Sequence, residues 1–251
     1  MSKNLVVGVD IGGSKINIIV WDGKKVIDNW RANEVNLENL KKGISHFNIS
    51  KVGIGVAGVL DYKTGCILNC PNLKFFEGLC VKKFLNKNVR FNNDVHCFLR
   101  AEAKLGAVKG YKNALAVVMG TGIGGAIIIN KEPVYSGSHG SAGEFGFMVI
   151  ENEKTWEKLY QETGPAGGYP NPEKQKQIHA LGFASLINAF DPEIIVLGGG
   201  GAKLPNRALM EKFILSPLSK KTKVVLGKLG PNAVAIGATL LWDNNKNKIH
   251  K

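Results

Sequence analysis

The residues of this chain that could do chemistry are carboxylates set beside glycine-rich turns. Gly8-Val9-Asp10-Ile11-Gly12-Gly13 reappears as Gly120-Thr121-Gly122-Ile123-Gly124-Gly125. Aliphatic runs flank both copies, residues 5–7 and 16–21 around the first, 115–119 and 126–129 around the second. Each copy reads as strand, tight turn, strand. Glycine lacks Cβ and tolerates positive φ, so backbone N–H groups in such turns can approach a phosphate closely. Two copies in register imply a duplicated fold gripping one polyphosphate, against the plainer account of two ordinary hairpins. Asp10 falls at the tip of the first hairpin, where it would repel phosphate unless a cation lay between them. Mg2+ reached through water is therefore implied, with an ordinary turn aspartate as the alternative. A second carboxylate, Asp94, follows a short strand at 89–91 and precedes a helix at 95–105. Asn93 or Asp94 can cap that helix, and its first N–H groups would keep Asp94 ionised and fixed.

Alternating α and β elements must position these groups. Residues 5–11, 16–21 and 25–30 read as an antiparallel meander, with Asp22-Gly23 as the second hairpin turn. Leu37, Leu40, Ile44 and Phe47 recur at helical spacing. Residues 52–57 form a buried strand that stops at Gly58, and 78–85 a helix. The small, polar stretch 106–112 is the candidate boundary, and a second meander starts at Leu115. Asn171-Pro172-Glu173 opens a helix that runs to Phe190, where Asp191-Pro192 ends it. Residues 194–197 are a strand entering Gly198-Gly199-Gly200-Gly201, with a helix start expected beyond, and 232–242 is a closing helix. The glycine turns then have context. Gly120 to Gly125 matches G-x-G-x-x-G, but the β-branched run Ala126-Ile127-Ile128-Ile129 follows instead of the helix a dinucleotide site needs. Ser14-Lys15 lacks the Lys-then-Ser/Thr order of a P-loop.

The 251 residues are 44% hydrophobic and 21% charged, enough to bury a core in one large or two modest domains. No run approaches the roughly 18 apolar residues of a membrane helix, and residues 1–4 enter a strand without a signal-peptide pattern, so a cytoplasmic protein is expected. Cys66, Cys70, Cys80 and Cys97 fit no paired zinc spacing, and reduced thiols are expected. The net charge of +13 could attract a polyanion, but the lysines are scattered in short clusters without interleaved aromatics. Neither a nucleic-acid nor a membrane partner is expected.

Several blocks, in order, resemble the ROK sugar kinases (repressor, open reading frame, kinase) of the actin-like ATPase superfamily. Val7-Gly8-Val9-Asp10-Ile11-Gly12-Gly13-Ser14-Lys15 is similar to the first phosphate motif, and Gly120-Thr121-Gly122-Ile123-Gly124-Gly125 to the second. Gly53-Ile54-Gly55-Val56-Ala57-Gly58-Val59-Leu60-Asp61 and Pro71-Asn72-Leu73 resemble the sugar-side loops, and Asn93-Asp94 the catalytic segment. Gly140-Ser141-Ala142-Gly143-Glu144-Phe145-Gly146 matches the family signature, and Asp191-Pro192-Glu193-Ile194-Ile195-Val196-Leu197-Gly198-Gly199-Gly200 the adenosine segment. The resemblance implies an α/β fold of two actin-like (ribonuclease H-like) lobes, 1–108 plus 232–251 and 109–231, with the active site in an interlobe cleft. It implies ATP and Mg2+ as cofactors, a hexose acceptor phosphorylated at its 6-hydroxyl, and glucose ahead of N-acetylmannosamine, N-acetylglucosamine and fructose. Asp94 would accept the proton of the attacking hydroxyl. Asn72, Asn93, Asp94, Glu144 and Glu157 would contact the sugar. Asp10, Gly12, Gly13, Ser14, Lys15, Gly120, Thr121, Gly122, Gly124, Gly198, Gly199 and Gly200 would hold the nucleotide, Asp10 through Mg2+.

The chain departs from the family pattern after the signature. Phe147 stands where relatives carry a histidine, and no cysteine follows Cys97, so no structural zinc site is expected. Phe147 puts sugar identity in question, and packing in the loop core is its alternative role. The stretch from Gly164 to Ile178 is shorter than in relatives, which leaves a homodimer open. The rivals are a sugar-binding regulatory protein without transfer activity and another actin-like ATPase or acid kinase.

Overall fold

The computed structural model describes residues 5–70, 73–85, 88–164 and 171–243. They form two compact units, one of Met1–Lys104, Gly137–Ser141 and Leu229–Lys251, the other of Leu105–Ser136 and Ala142–Lys228. No helix among the described residues is long and apolar enough to cross a membrane.

The first unit opens with the meander β1 (Val6–Ile11), β2 (Ile16–Trp21) and β3 (Val26–Ala32). Next come α1 (Leu37–His46), β4 (Lys51–Val56), the small hairpin β5 (Val59–Asp61) and β6 (Cys66–Asn69), α2 (Val81–Leu85), β7 (Asn88–Asn93) and α3 (Asp94–Leu105). The main sheet runs β3-β2-β1-β4-β7, antiparallel in the meander and parallel from β1 to β7. Every residue of β2 is buried because both sheet faces are covered. Ile18 and Val20 join Leu40 and Ile44 of α1 in one core, while Ile19 and Trp21 point the other way, as the two-residue period of a strand requires.

The second unit repeats this plan. It contains β8 (Ala114–Met119), β9 (Ile123–Ile128), β10 (Val149–Glu151), β11 (Lys154–Thr155), α4 (Trp156–Thr163), α5 (Pro172–Phe190), β12 (Ile194–Gly198), α6 (Arg207–Glu211) and β13 (Lys223–Leu226). Its sheet order, β9-β8-β12-β13, reproduces β2-β1-β4-β7: an antiparallel hairpin extended by two parallel strands. The duplication therefore extends from the glycine turns to whole sheets. Asn171 caps α5 by accepting from the Lys174 N–H at 3.0 Å, and Asp191 ends it in the left-handed conformation, φ 43°. Trp156 locks α4 onto α5. Its Nε1 donates to His179 Nδ1 at 3.1 Å, its ring meets Phe183 edge-on, and Gly182 leaves room for it.

At Leu229 the chain returns to the first unit, where α7 (Ala233–Thr239) packs across β1 and β4. A Cβ on Gly8 would run into the Ala235 carbonyl, and one on Gly53 into that of Ala238. Gly8, although part of the repeated motif, thus serves close helix–sheet approach.

The structure corrects several expectations. The helix anticipated at 78–85 shortens to α2, because the Gly78 N–H donates to the Ile67 carbonyl at 2.8 Å and the Ile67 N–H to Leu79 at 3.1 Å. That pairing places Cys66 opposite Cys80, and the two form a disulfide, so four reduced thiols is wrong. Cys70 and Cys97 are free and buried. Beyond Gly201 no helix starts directly; the five-residue α6 begins only at Arg207.

Candidate active site

In the first unit the parallel strands β1, β4 and β7 bring their carboxyl ends together. Asp10 sits inside β1, not at the hairpin tip, level with Asn17 on one side and Gly55 on the other. Gly55 is in turn level with Asn92 of β7, two residues before Asp94. Burial pushes the Asp10 carboxyl up to about 7; nearby Asp94 adds to the rise and Lys15 opposes it. The first turn is closed by the Gly12 N–H donating to the Lys15 carbonyl at 3.0 Å, and Gly13, Ser14 and Lys15 are exposed.

Asn93, not Asp94, caps α3. Its Oδ1 accepts from the N–H groups of Val95 and His96 at 2.9 and 3.2 Å, and its Nδ2 donates to the Gly58 carbonyl at 3.2 Å. Asp94 Oδ1 also accepts from the Val95 N–H, at 2.9 Å. Those helix-start donors lower its pKa, but burial wins and holds the carboxyl at about 6. At neutral pH the carboxyl is still mostly ionised, with burial making it a stronger base than an exposed aspartate. A residue that sequence reasoning missed supports this corner. Tyr62 donates to Asn92 Oδ1 at 2.9 Å and stacks on Phe91, and Asn92 Oδ1 also accepts the Asn93 N–H at 2.8 Å. Only proximity in the fold, not spacing, marks Tyr62. Asn72 lies outside the described residues.

The second unit gathers the remaining glycine segments. Gly120 and Thr121 are exposed at the second turn, where the Gly120 N–H donates to the Gly122 carbonyl at 2.9 Å. Gly122 and Gly124 are half-buried. The run after β12 abuts the same turn: the Gly201 N–H donates to the Met119 carbonyl at 2.9 Å, and Gly199, φ 88°, leaves no space for a Cβ against Met119. Gly200 stands open, and Gly198 ends β12. Glu157, on α4, accepts the Ile123 N–H through Oε2 at 2.6 Å, and Gly122 lies under its carboxylate. Glu144 is exposed at the head of the short 3-10 turn Phe145–Phe147. Phe145 fills the core against Gly125, whereas Phe147 is 63% exposed, so it does not pack in the loop core. Among the described residues no three His, Cys, Asp or Glu side chains gather as a metal cluster.

The arrangement offers two glycine turns, each on an antiparallel hairpin, and a half-buried pair of carboxylates beside the first. The ROK family model matches residues 6–173. An N-acetyl-D-glucosamine kinase of Pectobacterium atrosepticum is 28% identical, over 93% of this chain and 97% of that protein. A glucokinase of Halalkalibacterium halodurans is 26% identical, over 100% of this chain and 98% of its own length. The crystal structure of a ROK family glucokinase from Streptomyces griseus, in complex with glucose and AMPPNP, superposes with a TM-score of 0.80 at 22% identity, covering 94% of this chain and 98% of the other. That likeness shows the fold, two sheets of the actin-like ATPase type. With the family model spanning both glycine turns and the signature, the chain belongs to the ROK family.

Proposed function

We propose that this protein is an ATP-dependent sugar kinase that phosphorylates a hexose, with Asp94 as general base. The observation that carries the reading is Asp94 itself: a carboxylate at the strand-to-helix junction, held by the Val95 N–H and raised to about 6, beside Asp10. A base with a pKa near the operating pH is ionised in use yet basic enough to take a proton as a hydroxyl attacks. The sugar 6-hydroxyl oxygen bonds to the γ-phosphorus, the bond from that phosphorus to the β–γ bridging oxygen breaks, the hydroxyl proton passes to Asp94, and ADP leaves. Gly13, Ser14 and Lys15 of the first turn, and Thr121, Gly122 and Gly124 of the second, present backbone N–H groups to the phosphates, while Gly12 and Gly120 close the turns. Gly198, Gly199 and Gly200 leave backbone open for adenosine. Glu144 and Glu157 offer carboxylate oxygens to sugar hydroxyls, with Asn93 and Asn72 donating.

The residues present fit Mg2+. Asp10 is a half-buried carboxylate raised by its enclosure and, second, by Asp94, and a cation offsets both. Asp10 would hold the ion through water, and the ion would neutralise charge on the ATP phosphates. Glucose is the favoured acceptor, with N-acetylglucosamine next, in line with the activities named for the two relatives.

The test is coupled ADP release with MgATP across hexoses and N-acetylhexosamines. Sugar-stimulated turnover is expected, and Asp94→Asn should lower it by roughly 100-fold or more while MgATP still binds. A folded protein that binds sugar yet transfers nothing would overturn the reading in favour of a sugar-binding regulator.

A further inference from the structure

The second phosphate turn is not a free-standing hairpin. Three side chains of α4 reach its backbone. Glu157 Oε2 accepts from the Ile123 N–H at 2.6 Å, the Tyr160 hydroxyl donates to the Gly120 carbonyl at 3.2 Å, and Gln161 Nε2 donates to the Thr121 carbonyl at 3.2 Å. Positions 157, 160 and 161 are spaced i, i+3 and i+4, one face of a helix. Together they engage the turn at Gly120, Thr121 and Ile123, an acceptor for the one N–H and donors for the two carbonyls. The Tyr160 hydroxyl also sits where a Cβ on Gly201 would fall, so one oxygen adjoins both the phosphate turn and the glycine run beyond β12. Tyr160 is buried, which raises its pKa and keeps the hydroxyl protonated as a donor.

The helix that carries this face is itself held. Trp156 is fully buried between His179, Phe183 and Gly182 of α5, and the Thr155 side chain caps the helix by accepting from the Lys158 N–H at 3.2 Å. Burial pushes His179 down to about 4, so its imidazole is neutral and Nδ1 can accept the indole proton at physiological pH. A glycine-rich turn on its own would sample many conformations. Fixing two carbonyls and one N–H from an anchored helix points the remaining N–H groups of the turn in one direction, and preorganised donors bind phosphate without an ordering cost.

We infer that Tyr160 and Gln161 are positioning residues for the nucleotide phosphates, acting through the backbone of the Gly120–Gly125 turn. The inference rests on the kinase reading, and the experiment separates the two. Hydrogen exchange at residues 120–123 and MgATP affinity without sugar are measured for wild type, Tyr160→Phe, Gln161→Leu and the double variant, with Lys158→Ala as a control on the outer face of α4. Loss of each hydrogen bond should raise the MgATP dissociation constant about 3- to 10-fold and speed exchange in the turn, with Lys158→Ala unchanged. In turnover, the KM for MgATP should rise in step while kcat and the KM for sugar hold, a split that general loosening of the unit would not give. Unchanged exchange in the turn overturns the inference, as does faster exchange with wild-type MgATP affinity. Failure of the kinase reading shows instead in the wild type, as absent MgATP binding or absent transfer. Absent binding removes the phosphate role of this face as well; absent transfer with MgATP bound leaves the variant comparison decisive.

Discussion

At the residue scale, the two half-buried carboxylates, Asp10 and Asp94, set the pH behaviour. Asp94 must be ionised to accept a proton, so kcat/KM for the sugar should climb through pH 6 and level off above it. A profile flat from pH 5 to 8 would remove Asp94 from that role. The same burial has a stability consequence whose sign is opposite to that of an ion-paired aspartate. Asp10 and Asp94 have folded values near 7 and 6, above the ordinary 3.8, so the native state holds protons that the unfolded chain releases. That contribution is complete below pH 3.8 and is lost as pH rises through 6 to 7. Asp94→Asn, which carries no charge to bury, should melt several degrees above wild type at pH 8, by about half that margin at pH 5, and close to it only below pH 3.8, as read by thermal denaturation. Asp10 and Asp94 were legible as motif carboxylates. Their protonation was not, because it depends on how much protein surrounds them and on each other, and neither quantity is local in sequence.

At the scale of elements, what could be read depended on whether local signals decided the outcome. α5 carries an Asn cap, a proline at its first position and an Asp-Pro stop, and it spans Pro172–Phe190 as expected. The meander and the strand β12 were equally plain from period and β-branching. The hairpin of β5 and β6, its pairing with residues 78–80 and the disulfide were not legible, since a sequence separation of 14 between Cys66 and Cys80 carries no spacing signature. Thiol titration in denaturant without reductant should find two groups, Cys70 and Cys97, and four after reduction. Four at the outset would place Cys66 and Cys80 apart. α4 escaped for another reason: its eight residues directly follow the two-residue strand β11, and its orientation comes from Trp156 seated on α5. Close approach of α7 is testable directly. Gly53→Ala would drive a methyl into the Ala238 backbone, which cannot retreat as a side chain end could. It should cost about 2 kcal/mol or more in urea denaturation, against well under 1 kcal/mol for a fitted site.

For the whole molecule, the two units carry opposite acid–base liabilities. The first loses stability as pH rises, through Asp10 and Asp94. The second loses it as pH falls, because His179 must stay neutral; its folded value near 4 lies below the ordinary 6.5, so its contribution is present above 6.5 and fades as pH drops through 4. The duplicated architecture was visible from two glycine turns alone, because a turn that admits backbone to phosphate needs glycine wherever it recurs.

The placement of α7 carries a consequence for synthesis on the ribosome. Domains emerging from the exit tunnel generally fold in order, the amino-terminal one first. Here the sheet that starts the chain keeps the surface at Gly8 and Gly53 uncovered until residues 233–239 are translated, after the second unit has emerged as nearly unbroken sequence. The later unit can therefore condense while the earlier one still waits for its covering helix, and a nascent chain arrested before α7 should expose apolar strand surface to chaperones.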